Sequence, residues 1–278
     1  MNLGNKLKGL PPIRLLTLDE RPDRQRYAEI QYDYWEIKDY TKVSGSKYQS
    51  STYEDWKHLV ILNSLDDYER KNNHLTDVSI ALSYLLTIKD WLETTNEKHL
   101  ILMEDDYDLF FIEYWHFDWE YLMNNIPYDW DCIQMSFENP NAIPCFLHPI
   151  LSGHCVGASL INRRYAEKLM SMHYKDGKFD LSQKIGNDQW SMTPNFTVDY
   201  FLGHNGKTYC LPLISVNQNF GSYAQNICRK EERTDLEFSY KACKKWWTEL
   251  RDEYSLEDFF TYGKPNDRII TPEEFENV

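Results

Sequence analysis

The chain lacks a basic stripe. Its 30 Lys and Arg stand against 44 Asp and Glu, giving a formal net charge of −14 and a pI near 5.0. The longest basic runs are short, such as Lys244-Lys245. A groove that tracks phosphates needs clustered cations, so nucleic acid is excluded as a partner. Adhesion to an anionic membrane by charge is disfavoured for the same reason. Nor does any run approach the roughly 18 apolar residues of a membrane span, so no transmembrane segment is expected. Six cysteines lie scattered at 132, 145, 155, 210, 228 and 243, with no CxxC spacing. They read as free, largely buried thiols of a cytosolic chain. The stretch Met1–Pro12 lacks the long apolar region of a signal peptide, and Asn195-Phe-Thr is a glycosylation acceptor only in a secreted chain. Together these point to a cytoplasmic protein. Internal repeats and low-complexity tracts are missing too.

What is present is a globular composition. Hydrophobic residues make up 42% and aromatics 15%, with 20 Tyr and 9 Trp among 278 residues. That is enough for a substantial core. It also supplies rings of the kind that bind sugars and bases.

The chain is organised around Leu100–Asp108. Four apolar residues, Leu-Ile-Leu-Met, run into Glu104, Asp105, Asp106 and then Asp108. The short apolar run predicts a strand buried on both faces. Crowded carboxylates raise one another's pKa unless a positive charge sits among them, and a divalent cation is the economical solution. Ligands in open α/β sheets bind outside the carboxyl ends of strands, where this cluster falls. The plain alternative is an acidic loop that caps the next helix.

Around it, Ile13–Leu18 reads as a strand ending in the charged turn Asp19–Arg24, after which a helix runs toward Trp35. A strand, a turn and a helix N-terminus form a ready anion site, to which Arg21 and Arg24 can add phosphate contacts. An exposed ion-pair cluster of Asp19, Asp23, Arg21 and Arg24 is the alternative. Val43–Tyr53 reads as a loop and His58–Leu62 as a second strand, with a break at Asn72–His74. From Thr76, a plausible N-cap, apolar residues recur at helical spacing through Leu92. Strand, helix, strand, helix, strand predicts a parallel sheet with crossover helices. Phe110–Leu122 reads as an aromatic helix over the sheet and Cys132–Ser136 as a strand. Asn139–Pro149 reads as a loop, Ala158–Ile161 as a strand, and Arg163–His173 as a helix capped by Asn162. Gly153 and Gly157 allow a ligand close to the backbone. Thr208–Leu213 and Ile214–Val216 close the patterned part. Two units follow, residues 1–226 as the main domain and 227–278 as a helical extension packed on it.

Several of these stretches resemble glycosyltransferase family 25, the bacterial lipooligosaccharide and collagen galactosyltransferase family. Leu16-Thr-Leu-Asp-Glu-Arg-Pro-Asp-Arg24 is similar to its opening strand and turn. Ile80-Ala-Leu-Ser-Tyr-Leu85 is similar to a helix whose usual core is Ala-Leu-Ser-His-Leu, with Tyr84 standing where His is usual. Leu100–Asp106 resembles its acidic signature and Gly157–Leu169 its glycine, strand and helix block. Val198-Asp199, Tyr209–Pro212 and Gln218–Ser222 resemble its closing pattern. The likeness runs in order from Ile13 to Ser222 and leaves out Val43–Trp56 and the tail after Asn226.

The resemblance implies an α/β fold of the glycosyltransferase A type. This is a Rossmann-like domain with a mixed, mostly parallel sheet flanked by helices. It implies a UDP-sugar donor, galactose or glucose, a saccharide or other hydroxyl acceptor, Mn²⁺ or Mg²⁺, and inversion at the transferred carbon. In the acidic signature the last carboxylate touches the metal, which makes Asp106 the first ligand. Glu104 and Asp108 share its side of an extended chain, while Asp105 points elsewhere, to the ribose. His204 is a late metal ligand or phosphate contact, or simply a surface or core histidine. An inverting transfer needs a base for the acceptor hydroxyl. Asp199 takes that role, with Asp131 in reserve. Two other readings stay open, a phosphoesterase using the same carboxylates and a non-catalytic carbohydrate-binding relative that uses the aromatic Phe110–Trp119 surface.

Overall fold

The computed structural model describes residues 6–49, 52–61, 75–139, 141–150, 157–181, 197–217, 230–261 and 268–275. Strand β1 (Ile13–Thr17) leads into helix α1 (Pro22–Tyr34) and edge strand β2 (Tyr40–Ser44). Helix α2 (Leu75–Thr94) precedes β3 (His99–Glu104) and the two-residue β4 (Tyr107–Asp108). A 3₁₀ turn (Phe110–Tyr114), α3 (Trp119–Asn125), β5 (Cys132–Gln134), β6 (Ile143–Pro144) and β7 (His148–Pro149) follow. Then come β8 (Ala158–Asn162), α4 (Arg163–His173) and the hairpin β9 (Tyr174–Lys175) and β10 (Lys178–Phe179). The chain continues through α5 (Val198–His204), β11 (Thr208–Cys210), β12 (Ser215–Val216), α6 (Lys230–Lys245), a π-helical turn (Trp246–Leu250), α7 (Leu256–Phe260) and β13 (Ile269–Ile270).

Seven strands form one sheet in the order β2-β1-β3-β8-β5-β11-β7. The pairs β1–β2, β1–β3 and β5–β11 are parallel, and β8 and β7 run against the rest. The molecule is therefore α/β with a mixed, mostly parallel sheet, as expected. Strand β3 is buried on both faces. Ile101 and Met103 face one apolar cluster and Leu100 and Leu102 the other, the period-two signature of a central strand. Helices α2, α4 and α5 cover the second face. Helix α4 begins where Asn162 accepts the Tyr165 N–H, as its sequence predicts.

Some expectations are corrected. Residues 40–44, two of them in the predicted loop, form an edge strand of mixed polar residues. Residues 58–61 make turns and a single bridge from Val60 to Phe179 rather than a strand. Leu62 and Asn72–His74 lie outside the described residues. Thr76 stands inside α2 rather than capping it. The aromatic stretch breaks into two short helices, because Asp118 starts a new one by accepting the Tyr121 N–H. The described part of residues 227–278 is continuous with the main core. Phe238, Trp246, Trp247 and Phe259 join the cluster under β3, Trp247 Nε1 donates to Pro212 O at 2.7 Å, and β13 pairs with β6.

Candidate functional site

Strands β1 and β3 end side by side, and a cleft of about 230 Å³ opens at their carboxyl ends. Its floor holds Thr17, Arg24, Glu104 and Asp105. Its walls carry Gly45 and Gln49 after β2 and the Thr76, Ser79, Ser83 and Tyr84 face of α2. Those α2 positions follow helical spacing, so they share one side of the helix. Gly45 donates its N–H to Thr17 O at 2.7 Å, and an added Cβ there would lie 3.3 Å from Leu18. The backbone thus approaches closely at the cleft wall.

Past Glu104 the extended geometry stops, and Asp105 and Asp106 form a turn. Strand parity therefore does not sort the acids. Both Asp105 and Asp106 instead grip Arg24, which is 5% exposed. Arg24 Nη1 lies 3.2 Å from Asp105 Oδ1 and Nη2 lies 3.2 Å from Asp106 Oδ2. Thr17 Oγ1 donates to the other Asp105 oxygen at 2.5 Å. Asp105 is thus held by Arg24 and Thr17 while it lines the cleft. Breaking a buried pair of this kind costs about 3–5 kcal/mol.

Asp106 is different. It is 4% exposed, and its Oδ1 is buried with no hydrogen-bond partner. A buried orphan oxygen on a carboxylate is costly unless something binds it. Glu104 lies beside it. Its N–H donates to Gly157 O at 2.7 Å and its Oε1 accepts from the Tyr84 hydroxyl at 2.9 Å. Burial, reinforced by the Asp106, Asp105 and Asp199 carboxylates, pushes Glu104 up to about 8. Asp199 therefore comes within electrostatic reach of the site, from the first turn of α5. Burial also raises Asp106, against the pull of Arg24.

The remaining expected residues divide. Arg21 stays near Asp105 and Asp106 but forks onto Asp23, at 3.0 and 2.8 Å, and holds that carboxyl down at about 2. The expected exposed ion pair thus exists for Arg21, while Arg24 belongs to the site. Asp108 is buried in β4, which pairs with β12. It accepts the Phe110 N–H at 2.8 Å and the Tyr27 hydroxyl, so it does not stand with Asp106. Gly157 leaves its room to the protein and not to a ligand, because a Cβ would lie 2.8 Å from Tyr107 and 3.2 Å from Glu104. Gly153 is outside the described residues. His204 closes α5 at the far end from Asp199 and stacks on Tyr200, with ring centroids 5.3 Å apart. Asp131 precedes β5 at the opposite edge of the sheet from Glu104. There it accepts from Arg164 Nη2 at 2.6 Å and from Lys207 N–H at 3.0 Å, as a structural clamp.

A divalent cation meets a donor set of the right chemistry, all oxygen, with one orphaned oxygen on Asp106. Among the described residues no group of three acids, histidines or cysteines is gathered around one point. The fit therefore rests on Asp106 and Glu104 alone.

The sequence did not single out Gln49, Ser79 or Ser83. For Ser79 and Ser83 the signal was the hydroxyl spacing on α2. Also missed was one face of α1, where Arg24, Tyr27 and Gln31 recur at i, i+3 and i+7. Gln31 Nε2 donates to Tyr107 O at 3.0 Å and its Oε1 accepts Leu109 N–H at 2.7 Å. That face holds the whole acidic turn.

Compared with known proteins, the chain matches no family model and no curated protein.

Proposed function

We propose that the chain is a metal-dependent glycosyltransferase. It moves a hexose, galactose or glucose, from a nucleoside-diphosphate sugar to a hydroxyl acceptor, with inversion and on an A-type Rossmann-like domain. The observation that carries this reading is the buried, unpartnered Asp106 Oδ1 in the turn after β3, next in sequence to Asp105, which with Glu104 lines the cleft where two parallel strands end. The resemblance to glycosyltransferase family 25 supports it independently.

Asp106 and Glu104 would hold Mn²⁺ or Mg²⁺, which when bound supplies positive charge to a departing diphosphate. Arg24 keeps Asp106 oriented and partly neutralised. The Thr76 and Ser79 hydroxyls of α2 line the cleft and would meet a polar ligand there. Asp199, in electrostatic reach of Glu104, is the candidate base for the acceptor's proton.

A second reading has one observation in its favour. Arg24 already sits between two of the carboxylates, as a cation would in a non-catalytic carbohydrate-binding relative. Turnover separates the two. Purified protein with Mn²⁺ and UDP-galactose or UDP-glucose is expected to release UDP, and Asp199→Asn to slow release at least tenfold with donor binding kept. No release from any nucleotide sugar rejects the transferase. Phosphate released from simple esters without donor preference points to a phosphoesterase instead.

A further inference from the structure

Tyr84 joins two walls of the cleft that the sheet does not connect. It stands on α2 beside the buried Leu82 and Leu85 and is itself 1% exposed. A buried phenol needs a hydrogen-bond partner for its hydroxyl. That partner is Glu104, the last residue of β3, whose Oε1 accepts from Tyr84 at 2.9 Å. Both residues line the cleft.

Glu104 is held from a second side. Its backbone N–H donates to Gly157 O at 2.7 Å, which carries the β3–β8 ladder one step past the Met103–Ala158 pair. Gly157 lies so close that an added Cβ would stand 3.2 Å from Glu104 Cδ. The side chain is thus bounded by the Gly157 backbone and the Tyr84 hydroxyl. A free glutamate samples many rotamers, and a cation that binds it has to order it. Here one carboxylate oxygen is fixed before any ligand arrives. The neighbouring acid is treated alike, since Arg24 Nη2 lies 3.2 Å from Asp106 Oδ2. Each of the two candidate cation ligands therefore has one oxygen tied down by the protein, Glu104 by a phenol and Asp106 by a guanidinium.

We propose that Tyr84 is a positioning residue for the divalent cation, acting through Glu104. It holds Oε1 so that the carboxylate meets the cation in one orientation. The proposal deepens the transferase reading and rests on its assignment of Glu104 to the cation. Partners of this kind around a ligating carboxylate are worth roughly tenfold or more in metal affinity.

Calorimetric titration of the full chain with Mg²⁺ or Ca²⁺, each with and without UDP, tests it in the wild type and in Tyr84→Phe. The variant keeps the ring and removes only the hydroxyl; Tyr84→Met, also without a hydroxyl, serves as a second variant. Mg²⁺ demands near-octahedral geometry, whereas Ca²⁺ accepts a loosely placed carboxylate. Both variants are expected to lose about tenfold in Mg²⁺ affinity, to keep their Ca²⁺ affinity and to keep the wild-type circular-dichroism spectrum. Mg²⁺ bound as tightly by the variants as by the wild type overturns the positioning role and leaves the transferase reading standing. Both ions weakened alike marks a packing defect and overturns it too. Mg²⁺ binding that depends on Tyr84 while UDP never binds overturns the transferase reading and leaves the role of Tyr84 intact. A wild type that binds no Mg²⁺, even with UDP, overturns both.

Discussion

At the scale of single residues, the acids that look alike in sequence carry four different loads. Asp105 is a structural ligand of Arg24 and Thr17, and Asp106 shares Arg24 while one oxygen stays free. Asp108 turns to Tyr27, and Glu104 turns to Tyr84. The strand ending in acids was legible because apolar spacing and charge are local signals. The division of labour was not, because it depends on a turn at Asp105-Asp106 and on partners at positions 24, 27 and 84. Glu104 yields a prediction at this scale. Its folded pKa lies near 8, above the ordinary 4.5. Between those values the folded state keeps a proton that the unfolded state has lost. Its contribution to stability is therefore complete below about pH 4.5 and lost as pH rises through 8. Urea unfolding at pH 5, 7 and 8.5 is expected to show that decline, and Glu104→Gln to flatten it. An unchanged slope in the variant contradicts the assignment.

At the scale of elements, α1 is the informative case. It lacks an apolar stripe in sequence, and its buried positions include Arg24 and Tyr32. Its inner face is mixed, with Ala28 and Tyr32 in the core and Arg24, Tyr27 and Gln31 turned to the acidic turn. Hydrophobic periodicity therefore finds the helix poorly and its role not at all. By contrast α4, with Tyr165, Ala166 and Leu169 buried, follows its predicted pattern from cap to end. The short edge strand β2 and the divided Phe110–Asn125 stretch escaped because pairing partners and an Asp118 cap, not propensity, decide them. Gln31→Ala tests the α1 face. It leaves Tyr107 O and Leu109 N–H without their side-chain partner, at a cost of about 1–3 kcal/mol. It is expected to weaken donor binding, because the acidic turn loosens. Chemical denaturation and UDP calorimetry on one preparation measure both. Full stability with full binding would show that the clamp is idle.

At the scale of the whole molecule, the strand and helix order specified an α/β sheet, and the observed seven strands keep that plan with β8 and β7 reversed. Reversal is invisible to a single-chain pattern, since it depends on which neighbour a strand finds. What the stretch after residue 226 buries was illegible for a related reason. The charge-rich sequence after it hides Phe238, Trp246, Trp247 and Phe259, which complete the core beneath β3. No helix among the described residues is long and apolar enough to cross a membrane. The fold thus brings a cleft of mixed lining and the turn with the orphaned Asp106 oxygen to the carboxyl ends of β1 and β3, with Asp199 in electrostatic reach of Glu104. Whether these act together on a nucleotide sugar is best measured by thermal unfolding with UDP-galactose or UDP-glucose and Mn²⁺, each alone and combined, in the wild type and in Asp106→Asn. A ligand that binds only the folded state at a hundred times its Kd adds about 2.7 kcal/mol. The account predicts a rise in midpoint that needs both donor and metal and disappears in Asp106→Asn. A rise that ignores the metal, or one that survives Asp106→Asn undiminished, contradicts it.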